Sequence, residues 1–302
     1  MAKKVVVTGA TGAIGMALLG ILQKEKVYTL VLLHKGSERN SNIPVSQFIK
    51  TKYCDIEEYD FFEDEESYDI FFHMAWSGGG ARQDVKRHYA NVWYSLNALL
   101  LAKKLGCKRF VFTGSQAEYG LKDCKLKGSV SCEPINPFGA SKLYAGQMTR
   151  FLSLQLGIEH IWCRILSVYG PYDGKNTMVS SVLRQLLEGK SPRLTKCEQV
   201  WDYLYSEDAA KAIYLCGLKG RTDRIYPICS GEGRVLKEYV EEMFEAMNLH
   251  TDIRFGEIPY SDSQTMYLSG DISELVKDTG FQRKYSFREG IEKTVHWMKG
   301  CK

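Results

Sequence analysis

Val5-Val6-Val7-Thr8-Gly9-Ala10-Thr11-Gly12-Ala13-Ile14-Gly15-Met16 is the stretch whose reading decides the fold. Three β-branched residues in a row, apolar on every position, read as a short strand buried on both faces. A glycine turn follows, and the helical pattern then runs from Met16 to Lys24. The glycines are spaced G-x-x-G-x-x-G, not G-x-G-x-x-G. They permit a tight turn and let backbone N–H groups approach an anion at the helix N-terminus. An ordinary strand-helix turn can carry the same glycines, but the strand before and the helix after favour a bound nucleotide. Gly9, Thr11, Gly12, Ala13, Ile14 and Gly15 are the first candidate cofactor contacts.

Outward from this turn the pattern repeats. Thr29–Leu33, Ile70–Met74, Arg109–Thr113 and Ile161–Leu166 read as further strands, with long helices over about 84–105 and Pro137–Leu156. Strands apolar on every position and separated by helices predict an α/β fold, a doubly wound parallel Rossmann sheet covered on both faces. Past residue 166 the loops lengthen, and a smaller mixed C-terminal lobe is expected. The predicted organisation is a nucleotide-binding domain over 1–166, with returning elements near 203–230, and a substrate-binding lobe over 167–202 and 231–302.

Composition narrows the function. The 302 residues carry a net charge of +4, too small to point to nucleic acid or a membrane surface. No apolar run approaches the ~20 residues of a membrane span. Nine scattered cysteines form no C-x-x-C pair and no zinc-like spacing, so reduced thiols, a cytoplasmic location and no metal are expected. Met1-Ala2-Lys3-Lys4 shows no leader pattern. The acidic run Glu63-Asp64-Glu65-Glu66 reads as a solvated turn.

Several ordered motifs together resemble the extended short-chain dehydrogenases/reductases, the NAD-dependent epimerase/dehydratase group that modifies nucleotide sugars. They are the glycine turn, Asp55-Ile56 behind a third strand, His73-Met74-Ala75-Trp76, Asn91, and Thr113–Gly120. Arg164–Pro171 and Trp201–Ala210 complete the set, so the resemblance covers nearly the whole chain. It implies that Asp55 and Ile56 lie against adenine and that Met74, Ala75 and Trp76 flank the cofactor. It also implies a homodimer paired through the helices near 88–104 and 138–156, where Leu96, Leu99, Leu100, Leu143, Phe151 and Leu152 would serve core or interface alike.

The family's proton-transfer group is a tyrosine four residues before a lysine. Positions i and i+4 differ by ~40° and share a helix face. The lysine lowers the phenol pKa and holds the nicotinamide ribose, and a serine or threonine binds the same substrate oxygen. Here Ser115 and Lys142 match, but Phe138 stands where the tyrosine belongs. A phenyl ring fills the space and transfers no proton, and such assistance is worth ~10²–10⁴ in rate. No Y-x-x-x-K occurs elsewhere, and Tyr144, Tyr119 and Glu118 are poor substitutes by position. Three readings of Phe138 stand: a Tyr→Phe variant of an active enzyme, an enzyme using another acid, and a silent NAD(P)-binding sensor.

The dehydratases of this family place Asp-Glu straight after the catalytic threonine. Gln116-Ala117 stand here instead, which argues against 4,6-elimination and leaves a 4-keto reductase or a 4-epimerase. The second strand ends without the Asp that would bind a ribose 2′-OH. His34, Lys35 and Arg39 follow it and would suit a 2′-phosphate, so NADP is favoured over NAD. For the nucleotide-sugar substrate, Ser115, Gln116, Asn176, Arg193 and Trp201 are the candidate contacts. Val200 departs from the arginine the family often has there, which bears on phosphate recognition. Ser77–Arg82, with three consecutive glycines, reads as a cap near the nicotinamide.

Overall fold

A computed structural model describes residues 3–249, 252–261 and 264–300. Its centre is a seven-stranded sheet whose strand pairs are all parallel. The first half runs β1 (Lys4–Thr8), α1 (Ala13–Lys24), β2 (Tyr28–Leu33), β3 (Ile49–Tyr53), β4 (Ile70–His73), α2 (Val85–Lys104), β5 (Arg109–Ser115), α3 (Pro137–Leu156) and β6 (Glu159–Ile165). The second half runs β7 (Ser167–Tyr169), α4 (Met178–Leu187), β8 (Val200–Trp201), β9 (Tyr203–Tyr205), α5 (Ser206–Lys219), β10 (Ile225–Ile228), β11 (Arg234–Val235), α6 (Leu236–Ala246), β12 (Tyr267–Leu268), α7 (Ser273–Thr279) and α8 (Phe287–Gly300).

The apolar strands are buried on both faces because alternate residues feed two cores. Val5 and Val7 pack with Leu18 and Leu22 of α1 on one side. Val6 packs with Ala98 and Leu99 of α2 on the other. The strand order β10-β6-β5-β4-β1-β2-β3 reverses direction at β1. A crevice therefore opens between the C-terminal ends of β1 and β4, the place where ligands bind in such sheets. β5 runs two residues past its predicted end, to Ser115. Thr113 and Ser115 thereby share one face of a fixed strand rather than sitting on a loop.

After β6 the chain builds a lobe with its own core, in which Tyr169, Leu183, Tyr239, Phe287 and Ile291 are buried. Its sheets are β11-β8-β12 and the pair β7-β9. The chain then returns: α5 packs on α1, and β10 adds to the edge of the large sheet beside β6. Asp202 fastens lobe to sheet. Its fully buried carboxylate accepts from Ser230 N and Oγ (both 2.7 Å), Gly231 N (3.1 Å) and Gly270 N (3.3 Å).

The acidic run is solvated only in part: Glu63 and Glu65 are exposed, but Asp64 and Glu66 are not. The Asp64 side chain is 1% exposed and is held by Lys50 (3.0 Å) and Lys52 (3.4 Å), while Glu66 takes Lys4 (2.7 Å). Two lysines projecting from β3 supply the counter-charge that lets this carboxylate leave water. Among the described residues, no helix is long and apolar enough to cross a membrane.

Asp202→Ala should leave three N–H donors without this acceptor, while Ser230 Oγ keeps Glu232 O (3.3 Å). The expected loss is about 3 kcal/mol, within the range for buried unsatisfied groups. Denaturant unfolding of the two proteins checks it; a change within error would mean that the clamp is not holding the lobe.

Candidate active site

Gly9 has φ +71°, and a Cβ there would lie 2.6 Å from Ala75 N. Only glycine lets the turn after β1 press against the end of β4. Gly15 serves the same end of the sheet, since its Cβ would meet Ala10 Cα at 2.6 Å. α1 then starts at Gly12 with no side-chain cap, leaving its first N–H groups to an anion. Ile14 turns its side chain into the core, so any contact it offers is backbone. A cavity of about 370 Å³ opens beside this turn, lined among others by Gly9, Thr11, His34, Ile56, Ala75 and Trp76. Its size suits a nucleoside, and its walls come from the C-terminal ends of four strands. These residues fit the adenosine half of a dinucleotide, with the pyrophosphate over α1.

The ribose end differs from expectation. Lys35 Nζ is held by Glu58 at 2.5 and 2.7 Å, which raises its pKa, and His34 Nδ1 lies against the Asp55 carboxylate. Asp55 also accepts from Lys35 N (2.7 Å) and heads the turn 56–61, while Ile56 lines the cavity. Two of the three basic groups meant for a 2′-phosphate thus already face carboxylates. Arg39 is exposed and makes no ion pair among the described residues.

Asn136 caps α3 (Gly139 N to Oδ1, 2.9 Å) and Pro137 begins it, so the helix start is fixed. That places Phe138 and Lys142 on one buried face. The Phe138 ring meets Trp76 and His88 edge-on, with centroids at 6.1 and 5.4 Å, and Arg82 lies 5.5 Å from its centre. Lys142 Nζ donates to Thr113 O (2.8 Å) and sits 4.0 Å from the centre of Trp76 and 5.1 Å from that of Phe112. Among the described residues no carboxylate pairs with it, and burial pulls its pKa down to about 7. Met74 N and Ala75 N both reach Thr8 Oγ1 at 3.3 Å, which ties the strand-four segment to β1.

Ser115 ends β5, where its Oγ accepts from Ala117 N (3.2 Å). Its own N–H goes to Glu118 (2.6 Å), which also takes Arg164 Nε (2.6 Å) and Trp162 Nε1 (3.0 Å). Glu118 is fully buried, and burial raises its pKa against the pull of Arg164. It is a brace for Ser115, not a free acid. Tyr119 is likewise buried, with its hydroxyl donating to Lys127 O (2.9 Å). Tyr144 is exposed on the far side of α3.

Phe138, Lys142, Trp76 and Thr113 thus form one cluster, adjoining the cavity through Trp76, and Ser115 stands two residues beyond Thr113 on β5. The lobe candidates are not brought into it. Gln116 is half-buried beside Ser115 and Asn176 is exposed. Arg193 donates to Glu257 O (3.3 Å), and Trp201 Nε1 donates to Ser167 Oγ (2.8 Å). A larger cavity of about 700 Å³, lined by Met16, Tyr172, Tyr285 and Trp297 among others, contains none of the cluster.

Sequence reasoning missed His88, and it named Arg82 only as the end of the glycine-rich segment. His88 accepts from Trp76 Nε1 (3.1 Å) and contacts Ala81 O (2.9 Å). The signal was present: His88, Asn91 and Ser95 repeat at i, i+3, i+7, a buried polar stripe on α2. Asn91 holds both polar groups of Ser77 (2.7 and 2.9 Å) and so anchors the glycine-rich segment.

A profile of the NAD dependent epimerase/dehydratase family matches residues 5–229. CDP-abequose synthase of Salmonella typhimurium is 24% identical over 96% of this chain and 97% of that one. Among solved structures, UDP-N-acetylglucosamine 4-epimerase from Methanobrevibacter ruminantium M1, in complex with UDP-N-acetylmuramic acid, shares the fold. Its TM-score is 0.89 at 21% identity, covering 100% and 99% of the two chains. A Tyr-to-Phe mutant of UDP-glucuronic acid 4-epimerase from Bacillus cereus, with NAD and a fluorinated UDP-sugar bound, follows. It has a TM-score of 0.86 at 18% identity over 99% and 100%.

Lys142 carries a stability signature. Its pKa falls from 10.5 to about 7 on folding, so the unfolded chain binds the extra proton between those values. The burial penalty is full below pH 7 and is relieved as pH rises toward 10.5. Lys142→Met removes it. The stability of Lys142→Met relative to the parent should be greatest at pH 6 and shrink steadily by pH 9.5. Urea titrations across that range test this, and a pH-independent difference would contradict it.

Proposed function

The chain belongs to the NAD dependent epimerase/dehydratase family, and from that premise we propose that it is a nicotinamide-dependent oxidoreductase that reduces the 4-keto group of a nucleotide sugar. The observation that carries this reading is the cluster itself. Lys142 and Phe138 both pack on Trp76, Lys142 is bonded to Thr113 O two residues before Ser115, and Glu118, which braces Ser115, is engaged by Arg164 and Trp162. Oxidising a sugar hydroxyl begins by removing its proton and needs a base. Reducing a ketone ends by protonating oxygen and needs an acid. A 4-epimerase runs both halves in each turnover, so loss of the phenol weighs on it twice. A dehydratase needs two further carboxylates where Gln116 and Ala117 stand.

The uncapped α1, the glycine turn and the adjoining cavity would hold the dinucleotide, and the hydride chemistry is the cofactor's. The chain's own residues orient the sugar: Ser115 by its hydroxyl, and Lys142 by its ammonium at the nicotinamide ribose. Asn176, Arg193 and Trp201 belong to the lobe side of the substrate. A preference for NADP over NAD rests on Arg39 alone, since Lys35 and His34 face Glu58 and Asp55.

A homodimer fits the outer faces of α2 and α3. Val85, Tyr89, Trp93 and Leu100 on one and Tyr144, Phe151 and Leu154 on the other are exposed, an apolar stripe unusual for a lone subunit. Leu99, by contrast, is core.

Three measurements follow. Thermal melting with UDP-, dTDP-, GDP- and CDP-sugars should show stabilisation by one class; saturation at 100 Kd is worth about 2.7 kcal/mol. If no nucleotide sugar shifts the midpoint while NAD(P)H does, a silent dinucleotide-binding protein is the better reading. Arg39→Ala should weaken NADPH binding about tenfold and spare NADH, as loss of one charge-assisted contact would; equal effects on both would remove the NADP preference. Trp93→Glu should shift the sedimentation coefficient from dimer to monomer, and a parent that already sediments as a monomer refutes the dimer.

A further inference from the structure

We infer that Lys142 itself delivers the proton to the substrate oxygen, and that Phe138 is the residue that fits it for this role. The inference rests on the reductase reading above and assigns its missing acid. Lys142 Nζ has one hydrogen-bond acceptor among the described residues, Thr113 O at 2.8 Å. Its other two N–H bonds have none. The faces of Trp76 and Phe112 stabilise a cation but accept no proton. The ammonium is therefore held in place with protons to give, on a carbonyl two residues before Ser115.

The charged or titratable groups packed against this cluster are engaged elsewhere, apart from Nε2 of His73, which has no hydrogen-bond partner among the described residues. His73, behind it on β4, is bonded to Thr8 Oγ1 (2.8 Å), and burial takes its pKa to about 3, so it is neutral. Glu118, from the turn after β5, is fixed by Ser115 N, Trp162 and Arg164. His88, from α2, has both ring nitrogens engaged, by Trp76 and Ala81 O. Arg82, from the glycine-rich segment, lies across the Phe138 ring. The Tyr119 hydroxyl is buried on Lys127 O, and burial lifts its pKa to about 12.

The phenyl matters because of what it withholds. A tyrosine at position 138, once ionised, would set an anion one helical turn from Lys142 and keep the lysine charged. Phe138 supplies no anion, so burial dominates and the lysine approaches neutrality near pH 7. An acid works best with its pKa close to the working pH. The substitution that removes the phenol thereby tunes the lysine toward the vacant task.

The step balances. Reduction forms one C–H and one O–H bond, and the reduced nicotinamide, when bound, supplies the hydride to carbon. As the O–H bond forms, an Nζ–H bond of Lys142 breaks and leaves the neutral amine. The amine regains a proton from solvent before the next turnover.

The full chain, Lys142→Arg, Lys142→Met and Phe138→Tyr test this. In protein labelled with ¹³C at lysine Cε, the resonance lost in Lys142→Met should titrate near 7 in the parent and higher in Phe138→Tyr. Single-turnover reduction by the parent should fall as pH rises through the same value. Lys142→Arg keeps the charge but releases no proton; it should lose ~10²–10⁴ in rate while calorimetry still finds nucleotide-sugar binding. Titration of Lys142 near 10 with binding intact overturns the inference alone. So does an active Lys142→Arg, or a silent parent that gains ~10² or more from Phe138→Tyr. Absence of both binding and turnover in all four proteins overturns the reductase reading, and the inference with it.

Discussion

The missing side chain at Gly9 governs the site. With φ +71° and Ala75 N within 2.6 Å of where a Cβ would stand, the turn after β1 lies directly on the end of β4. That contact closes one wall of the crevice at the point where the strand order reverses. It also aims α1 at the crevice, and it brings Met74 and Ala75 under the hydroxyl of Thr8. Trp76 follows immediately, so the same contact positions the indole on which Lys142 rests. A larger residue at position 9 would not simply crowd a ligand; it would separate the two strands whose ends make the site.

Stiffness on the other side comes from a buried ion pair. Glu118 and Arg164 are both nearly without solvent contact, and a buried pair of this kind is weak evidence for stability because desolvation offsets attraction. Its geometry is what counts here. Glu118 takes the N–H of Ser115 and the indole of Trp162, so the last residue of β5 cannot move without breaking a charged network. Arg164 places its guanidinium carbon over the Tyr119 ring, 4.5 Å from its centre. The network trades a possible acid for a rigid serine.

Much of this was legible in the chain. Strands apolar on every position, the glycine turn, and the Asn136-Pro137 start of α3 each have a local cause, so reading them in order yields the parallel sheet and the place of Phe138 and Lys142. What was not legible depends on contacts distant in sequence. Lys35 and His34 look free beside a ribose until β3 brings Glu58 and Asp55 against them. Asp64 looks solvated until Lys50 and Lys52 project from the neighbouring strand. His88 looks like one more surface position on a helix until Asn91 and Ser95 are counted with it. His88 had its signal on its own helix; at the two ion-paired sites the missing information was a charge supplied by another element. Local patterning does not encode that.

The same principle bears on Phe138. Taken as a single position, it is a loss, since one hydroxyl is absent and a general acid with it. Taken with its surroundings, it changes the balance of two opposing influences on one lysine. Burial disfavours the ammonium, and a neighbouring phenolate would favour it. Aromatic rings on several sides, one carbonyl and no carboxylate let burial prevail. The cluster around Phe138 supports this arrangement: Trp76 and His88 meet the ring by its edge and Arg82 by its face, all contacts that an apolar ring makes without a hydroxyl. With no phenolate beside it, the charge state of this lysine is set by its burial.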